Sequence, residues 1–322
     1  MTNGATFNIP FPALTTDQRY HFEVNGYVVI EDVLNPMEIK LLYDVLHELK
    51  AEFMSYDDPW NTSIRGATIT GKDEYDHRVF FNNMIESHPA FLEHVSHNRI
   101  VGMAEEVIGQ RVRLTEHNAY INSRNFDNPY QGPGRYQWHR NRPGAMTYTD
   151  NGLFHCNFVK SITNLTDLGP DDGGTSVIAG SHKVAAPEEG IVKAARNNPD
   201  LIHSVVAPAG STLIFSETLL HATGDILSDR ERTIIINGYM PWNHINETEN
   251  NFTDDFKSKV PDLLKPLLFG SYLNPRLRRR SLGDEVGLSD PGNYLDGWSL
   301  SSPDPDSYEI VDVSRRNQAD VD

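Results

Sequence analysis

The sequence predicts an α+β fold: a double-sheet jelly roll (a double-stranded β-helix) as core, with flanking helices. Three observations predict it. Helix caps and helically spaced apolar residues concentrate before residue 110. From residue 111 onward, short β-prone runs alternate with Gly, Pro, Asn and Asp, the pattern of a sandwich or barrel rather than a parallel βαβ sheet. Hydrophobic residues are 38% and aromatics 10% of the 322 residues, with 23 Gly and 19 Pro, enough for a sizeable core with many turns.

Taken in order, residues 1–15 read as a mobile start. Thr16 is expected to cap a short helix, with Asp17 and Gln18 in its first turn and Gly26 ending it. Residues 27–30 are a strand. Asn35-Pro36-Met37-Glu38 is a helix start with a capping residue, Pro at the first helical position and an acid three residues after the cap. Leu41, Leu42, Val45, Leu46 and Leu49 then form one apolar stripe. A further helix runs over 99–108 and stops at Gly109. Strands follow near 111–122, 153–165, 175–178, 204–206, 212–215 and 232–239, interrupted by a helix over 188–196. A last short helix is expected over 262–269, despite Pro266. One domain is expected over 16–300. Arg276, Arg278, Arg279 and Arg280 are expected to be solvated or internally paired, and 301–322 is a polar, flexible tail.

The formal net charge of −17 argues against nucleic acid as a partner. No run approaches the length of a membrane span. Met1 to Pro12 lack a basic segment followed by an apolar one, so no secretory leader is expected and the expected location is cytoplasmic. The single cysteine, Cys156, stands among Leu153, Phe154 and Phe158 and is expected to be a buried thiol. It excludes an intrachain disulfide or a multi-thiolate metal site.

The chemistry gathers at four positions. His139 and Asn141 flank Arg140, so on an extended segment they project from one face. His221 follows the apolar run 212–215 and can close a site from the opposite sheet. Arg232 opens the run Ile234-Ile235-Ile236. An inward, unpaired cation there is expensive, which makes an anionic ligand worth proposing; the bland alternative is a solvent-facing strand edge. Two imidazoles and an oxygen donor form the pattern of a non-haem Fe(II) site, in which the oxygen donor is ordinarily a carboxylate. With 13 His in the chain, among them His155, His182, His203 and His244, no single one of these positions is decisive.

The run from Leu165 through Asp167, Gly169-Pro170-Asp171-Asp172-Gly173-Gly174 and Ser176-Val177-Ile178 to Gly180-Ser181-His182-Lys183 resembles the phytanoyl-CoA dioxygenase (PhyH) family. So does Asn25-Gly26-Tyr27-Val28-Val29-Ile30 with the helix opening at Pro36. The resemblance covers about residues 16–241. It implies an oxygenase with a jelly-roll core in which an H-x-D pair and a distal His bind Fe(II); the matching positions are His139, Asn141 and His221. It also implies that 2-oxoglutarate, the cosubstrate, is held by Arg232 with help from the hydroxyl of Thr223. The implied partners are dioxygen and a small organic molecule to be hydroxylated.

This chain departs from the family at Asn141, whose neutral amide replaces the metal carboxylate. Three readings compete: a weak but adequate ligand in a working enzyme, an impaired or inactive homologue that binds an organic acid, and a halogenase with an open position for halide. The related halogenases carry Ala or Gly there, and Asn fills that gap. The loop over 122–133 is expected beside His139, lining the substrate pocket. Arg124, Arg140 and Arg142 are expected to pair with the chain's own carboxylates.

Overall fold

Local sequence chemistry sets the first elements of the computed structural model, which describes residues 13–72, 76–126, 137–140, 147–150, 153–184, 186–244 and 252–269. Thr15, one residue earlier than expected, caps α1 (Thr16–Asn25): its side chain accepts from the Gln18 N–H, and the Gln18 side chain accepts from the Thr15 N–H. Gly26, at φ 83°, ends the helix and turns the chain into β1 (Tyr27–Ile30). Asn35 and Glu38 form the expected capping box of α2 (Pro36–Met54). Its buried stripe is Leu42, Val45, Leu46, Leu49 and Phe53, while Leu41 faces outward.

β2 (Thr68–Thr70), β3 (Arg78–Asn82) and α3 (Pro89–Val95) have no counterpart in the sequence expectation. α4 (Asn98–Ile108) stops at Gly109 as expected, and β4 (Val112–Asn122) follows. Next come β5 (Thr147–Asp150) and β6 (Leu153–Cys156), then β7 (Val159–Asn164). The single strand expected over 153–165 is thus two. The remaining elements are β8 (Ser176–Ile178), α5 (Glu188–Asn197), β9 (Ile202–Ser204), β10 (Thr212–Ser216), β11 (His221–Ala222), β12 (Arg232–Pro241), α6 (Asp254–Lys259) and α7 (Lys265–Phe269). Cys156 is a buried free thiol.

The fold is α+β, but the predicted double-stranded β-helix is not what the strands build. Among the described residues, seven strands form one open antiparallel sheet in the order β1-β10-β7-β12-β4-β3-β2. A separate sheet has the order β11-β8-β9, and β5 pairs only with β6. Among the described residues no sheet closes on itself. Closure or double winding needs ladders that carry over from sheet to sheet. Here β8, β9 and β11 are three residues long or shorter. Around them, isolated bridges such as Leu168 with Ala207 and Asp172 with Ile226 stand outside the strands and extend no ladder. The Gly- and Pro-rich run Gly169-Pro170-Asp171-Asp172-Gly173-Gly174 lies just before β8 and contributes one isolated bridge, at Asp172, rather than a ladder.

Side-chain alternation separates the two faces of the large sheet. Val28, Ile214, Val159, Ile235 and Tyr239 pack with the apolar faces of the helices. Tyr27, Phe215, Ile162 and Ile234 turn the other way, toward Val177 of β8 and Val205 just past β9. The site lies on this second side.

A polar island sits on the helix side. His94 Nε2 is 3.2 Å from Thr163 Oγ1, Asn237 donates to Tyr239 Oη, and Tyr239 Oη donates to the Val95 carbonyl. Burial pushes His117 down to about 3 and His94 well below its ordinary 6.5, so both imidazoles are neutral in the fold. The unfolded chain therefore binds more protons than the folded one below about pH 6.5. Stability is full above that value and falls as the pH drops toward 3, by up to about 1.4 kcal/mol per pH unit for each imidazole. The denaturant midpoint is expected to fall between about pH 7 and pH 5, with a shallower slope in His117→Leu. A midpoint independent of pH over that range contradicts the burial of two neutral imidazoles.

Candidate active site

β11 is the joint of the site. It is only two residues long, pairs with β8 on one side, and on the other meets the segment carrying His139. The His139 and His221 backbones exchange both hydrogen bonds, each 3.0 Å. That pairing brings the two rings to 4.2 Å between centroids. A short turn sets up His221: the Leu219 N–H donates to the Ser216 carbonyl. Phe215 then packs edge-on against the His221 ring at 4.7 Å.

Each ring is oriented in the same way. His139 Nδ1 is 2.9 Å from the Gln137 carbonyl, and His221 Nδ1 is 2.8 Å from the Leu219 carbonyl. A carbonyl only accepts, so Nδ1 carries the proton and Nε2 keeps its lone pair. This is how a metal-binding imidazole is held by its outer partner. His221 is buried, and burial pushes it down to about 3, so it is a neutral donor.

Arg140, between the two predicted ligands, is engaged within the chain and does not line the cavity described below. Its side chain is 2% exposed, reaches the carbonyls of Ser181 and Ala186, and pairs with Glu188 at 3.4 Å. It ties the His139 segment to the stretch after Ser181. Arg124 pairs with Asp229 at 3.6 Å. Both arginines thus pair within the chain, as expected. Asn141 and Arg142 lie outside the described residues.

A cavity of about 470 Å³ opens beside the two His. Arg232, at the start of β12, forms part of its wall and is 2% exposed. One Nη donates to Thr175 Oγ1 at 3.2 Å, and Nε has no partner among the described residues. Burial lowers its pKa to about 10, which leaves it cationic at neutral pH. A buried guanidinium with unspent donors and no carboxylate partner among the described residues is suited to an anionic ligand. Thr223 lines the same cavity and is exposed. Of the loop expected over 122–133, Asn122, Ser123 and Asn125 line the cavity, and residues 127–136 lie outside the described residues.

Sequence reasoning missed a second set. Lys160 on β7 lines the cavity, its Nζ 3.1 Å from Glu116 Oε2 and 3.2 Å from Glu217 Oε1. Burial alone would lower the Lys160 pKa; the two carboxylates reverse that and hold it above the usual lysine range. Glu217 is 4% exposed, and burial raises its pKa against the opposing pull of Lys160. Its Oε2 has no hydrogen-bond partner among the described residues and lies 3.9 Å from His221 Nε2. The available signal was a lysine inside the apolar alternation of Val159-Lys160-Ser161-Ile162 and a glutamate in an otherwise uncharged run before His221. Phe80 stacked on Tyr120 at 4.3 Å, with Arg78 over the Tyr120 ring, completes another part of the wall. Among the described residues, no three His, Cys, Asp or Glu side chains are gathered closely enough to hold a metal as they stand. Among the same residues, no helix is long and apolar enough to cross a membrane.

Comparison with known proteins places the fold and the family. An ectoine dioxygenase of Nocardia farcinica is 25% identical over 280 residues, covering 80% of this chain and 85% of the relative. The structure of HygX from Streptomyces hygroscopicus with nickel and 2-oxoglutarate bound superposes with a TM-score of 0.57 at 21% identity, over 76% of this chain and 94% of that one. The 2-oxoglutarate-dependent carbocyclase SnoK from nogalamycin biosynthesis gives a TM-score of 0.53 at 19% identity, over 78% and 94%. At such identities the two structures speak for the fold alone. The family model for phytanoyl-CoA dioxygenase (PhyH) matches residues 22–234, from the end of α1 to the start of β12 and through both histidines and the arginine. The chain belongs to the phytanoyl-CoA dioxygenase (PhyH) family.

Proposed function

We propose that the chain is an Fe(II)- and 2-oxoglutarate-dependent oxygenase that hydroxylates a small organic molecule. The observation that carries this reading is the pair His139 and His221. Each is locked by a carbonyl at Nδ1 and keeps its Nε2 lone pair, and both stand beside a buried, charged and incompletely bonded Arg232. Those are the donors a divalent iron and a dicarboxylate require. Iron, when bound, supplies the redox chemistry that couples oxidation of 2-oxoglutarate to oxidation of a substrate C–H bond.

The chain's own residues do the rest. His139 and His221 hold the ion, with Asn141 as a neutral oxygen donor in the family's carboxylate position. Arg232 grips the remote carboxylate of 2-oxoglutarate, held in place by the Thr175 hydroxyl and assisted by the Thr223 hydroxyl. Phe215 and Ile234 keep this end of the cavity apolar. Another part of the cavity wall is mixed, with Arg78, Asn118, Asn122 and Asn125 together with the Phe80–Tyr120 stack, and suits a polar substrate with one flat or apolar face.

The neutral Asn141 favours a second reading, a homologue that binds an organic acid at Arg232 without turnover. Succinate formation separates the two. With Fe(II), dioxygen and 2-oxoglutarate, the oxygenase reading expects succinate in amounts that depend on all three. Binding of 2-oxoglutarate without any succinate selects the non-catalytic reading.

A further inference from the structure

The proposed ligand set has one electrostatic defect. Two neutral imidazoles and one neutral amide leave a dication with no anionic protein ligand, which is poor provision for a hard ion that prefers charged oxygen. The missing charge lies four residues before His221.

Glu217 sits one residue past β10, in the turn that sets up His221, and is 4% exposed. Its two oxygens are in different situations. Oε1 takes the Lys160 ammonium at 3.2 Å. Oε2 is buried with no hydrogen-bond partner among the described residues, and lies 3.9 Å from Nε2 of His221, the nitrogen that keeps its lone pair. A buried carboxylate oxygen facing a lone pair has nothing to bind until a cation arrives between them. Two ligand atoms at right angles on an ion with bonds of about 2.1 Å lie about 3 Å apart. Oε2 would therefore have to move by about 1 Å, since among the described residues no three His, Cys, Asp or Glu side chains stand close enough to hold a metal as they are. Lys160 would then act as the outer partner that orients a ligating carboxylate through its second oxygen.

We infer that Glu217 supplies the anionic oxygen ligand that Asn141 does not, so that the ion is held by His139, His221 and Glu217. This inference rests on the metal site proposed above. The geometry gives the chain a carboxylate from the β10–β11 turn in place of one from the His139 segment.

The test uses the full chain with anaerobic Fe(II), and with Co(II) as a spectroscopic probe. Glu217→Gln keeps size and one polar oxygen, and is expected to weaken Fe(II) binding by at least about tenfold. Adding Asn141→Asp to that variant is expected to restore affinity, because either carboxylate then serves. Affinity alone would not separate a ligand from a neighbour, so Glu217→Cys with Co(II) reads ligation directly. A thiolate-to-cobalt charge-transfer band, absent from the parent, supports it. If Glu217→Gln binds Fe(II) as the parent does while His221→Ala does not, the inference falls and the two-histidine site stands. If affinity drops but Glu217→Cys shows no band, Glu217 acts from outside the coordination shell and the inference also falls. If the parent binds no metal at all, the underlying reading fails with it.

Discussion

His221→Ala is expected to abolish both Fe(II) binding and succinate formation while the chain still folds. The substitution removes one of the two nitrogen donors that the carbonyl bonds hold ready. The β11 ladder survives, because its pairings with Val177 and with His139 are made by backbone atoms. The ring borders the cavity and packs on Phe215, so its loss enlarges a space already open to water rather than sealing a void in the core. The shift in melting temperature is expected to stay within a few degrees. Anaerobic Fe(II) titration and thermal melting followed by circular dichroism check the two halves separately. Unchanged consumption of 2-oxoglutarate in this variant would remove His221 from the site.

Arg232→Leu is expected to weaken 2-oxoglutarate roughly ten- to a hundredfold and Fe(II) only slightly. The lost contact is charge-assisted, worth about 1.5–3 kcal/mol. The fold should tolerate the change well. Arg232 is 2% exposed, lies on the same face of β12 as Ile234 and Ile236, and spends one hydrogen bond on Thr175. Leucine removes a desolvated charge without leaving a polar partner that cannot be satisfied otherwise. Calorimetric titration with 2-oxoglutarate measures the effect. Affinity equal to that of the parent would place the anion elsewhere in the chain.

Much of the architecture could be read from local rules, and its failures have local causes. The caps around α1 and α2 and the glycine stops at Gly26 and Gly109 need only neighbouring residues, so they were legible to within one position. β2, β3 and β11 were not. They are two to five residues long and exist because longer strands pair with them. The jelly roll failed for the same reason: strand count and spacing say nothing of how far each ladder runs, and the small-sheet strands run only two or three residues.

The candidate site divides in the same manner. His139, His221 and Arg232 could be singled out as candidates because alternation and an ion in an apolar run carry meaning without tertiary information, and the structure places all three on one cavity. Glu217 and Lys160 were not, because a lysine on a strand or a glutamate in a turn is ordinarily solvated. Only the packing shows Glu217 buried and Lys160 shared between two carboxylates.

The most direct test of the two-histidine, one-arginine site is optical. Fe(II) is added to the anaerobic protein, then 2-oxoglutarate, and the visible spectrum is recorded for the parent, His221→Ala and Arg232→Leu. A weak visible charge-transfer band is expected in the parent only when both are present. It should be absent in His221→Ala, and in Arg232→Leu it should appear only at much higher 2-oxoglutarate. No band in the parent at saturating iron and 2-oxoglutarate, or a band of equal strength in His221→Ala, would contradict the site.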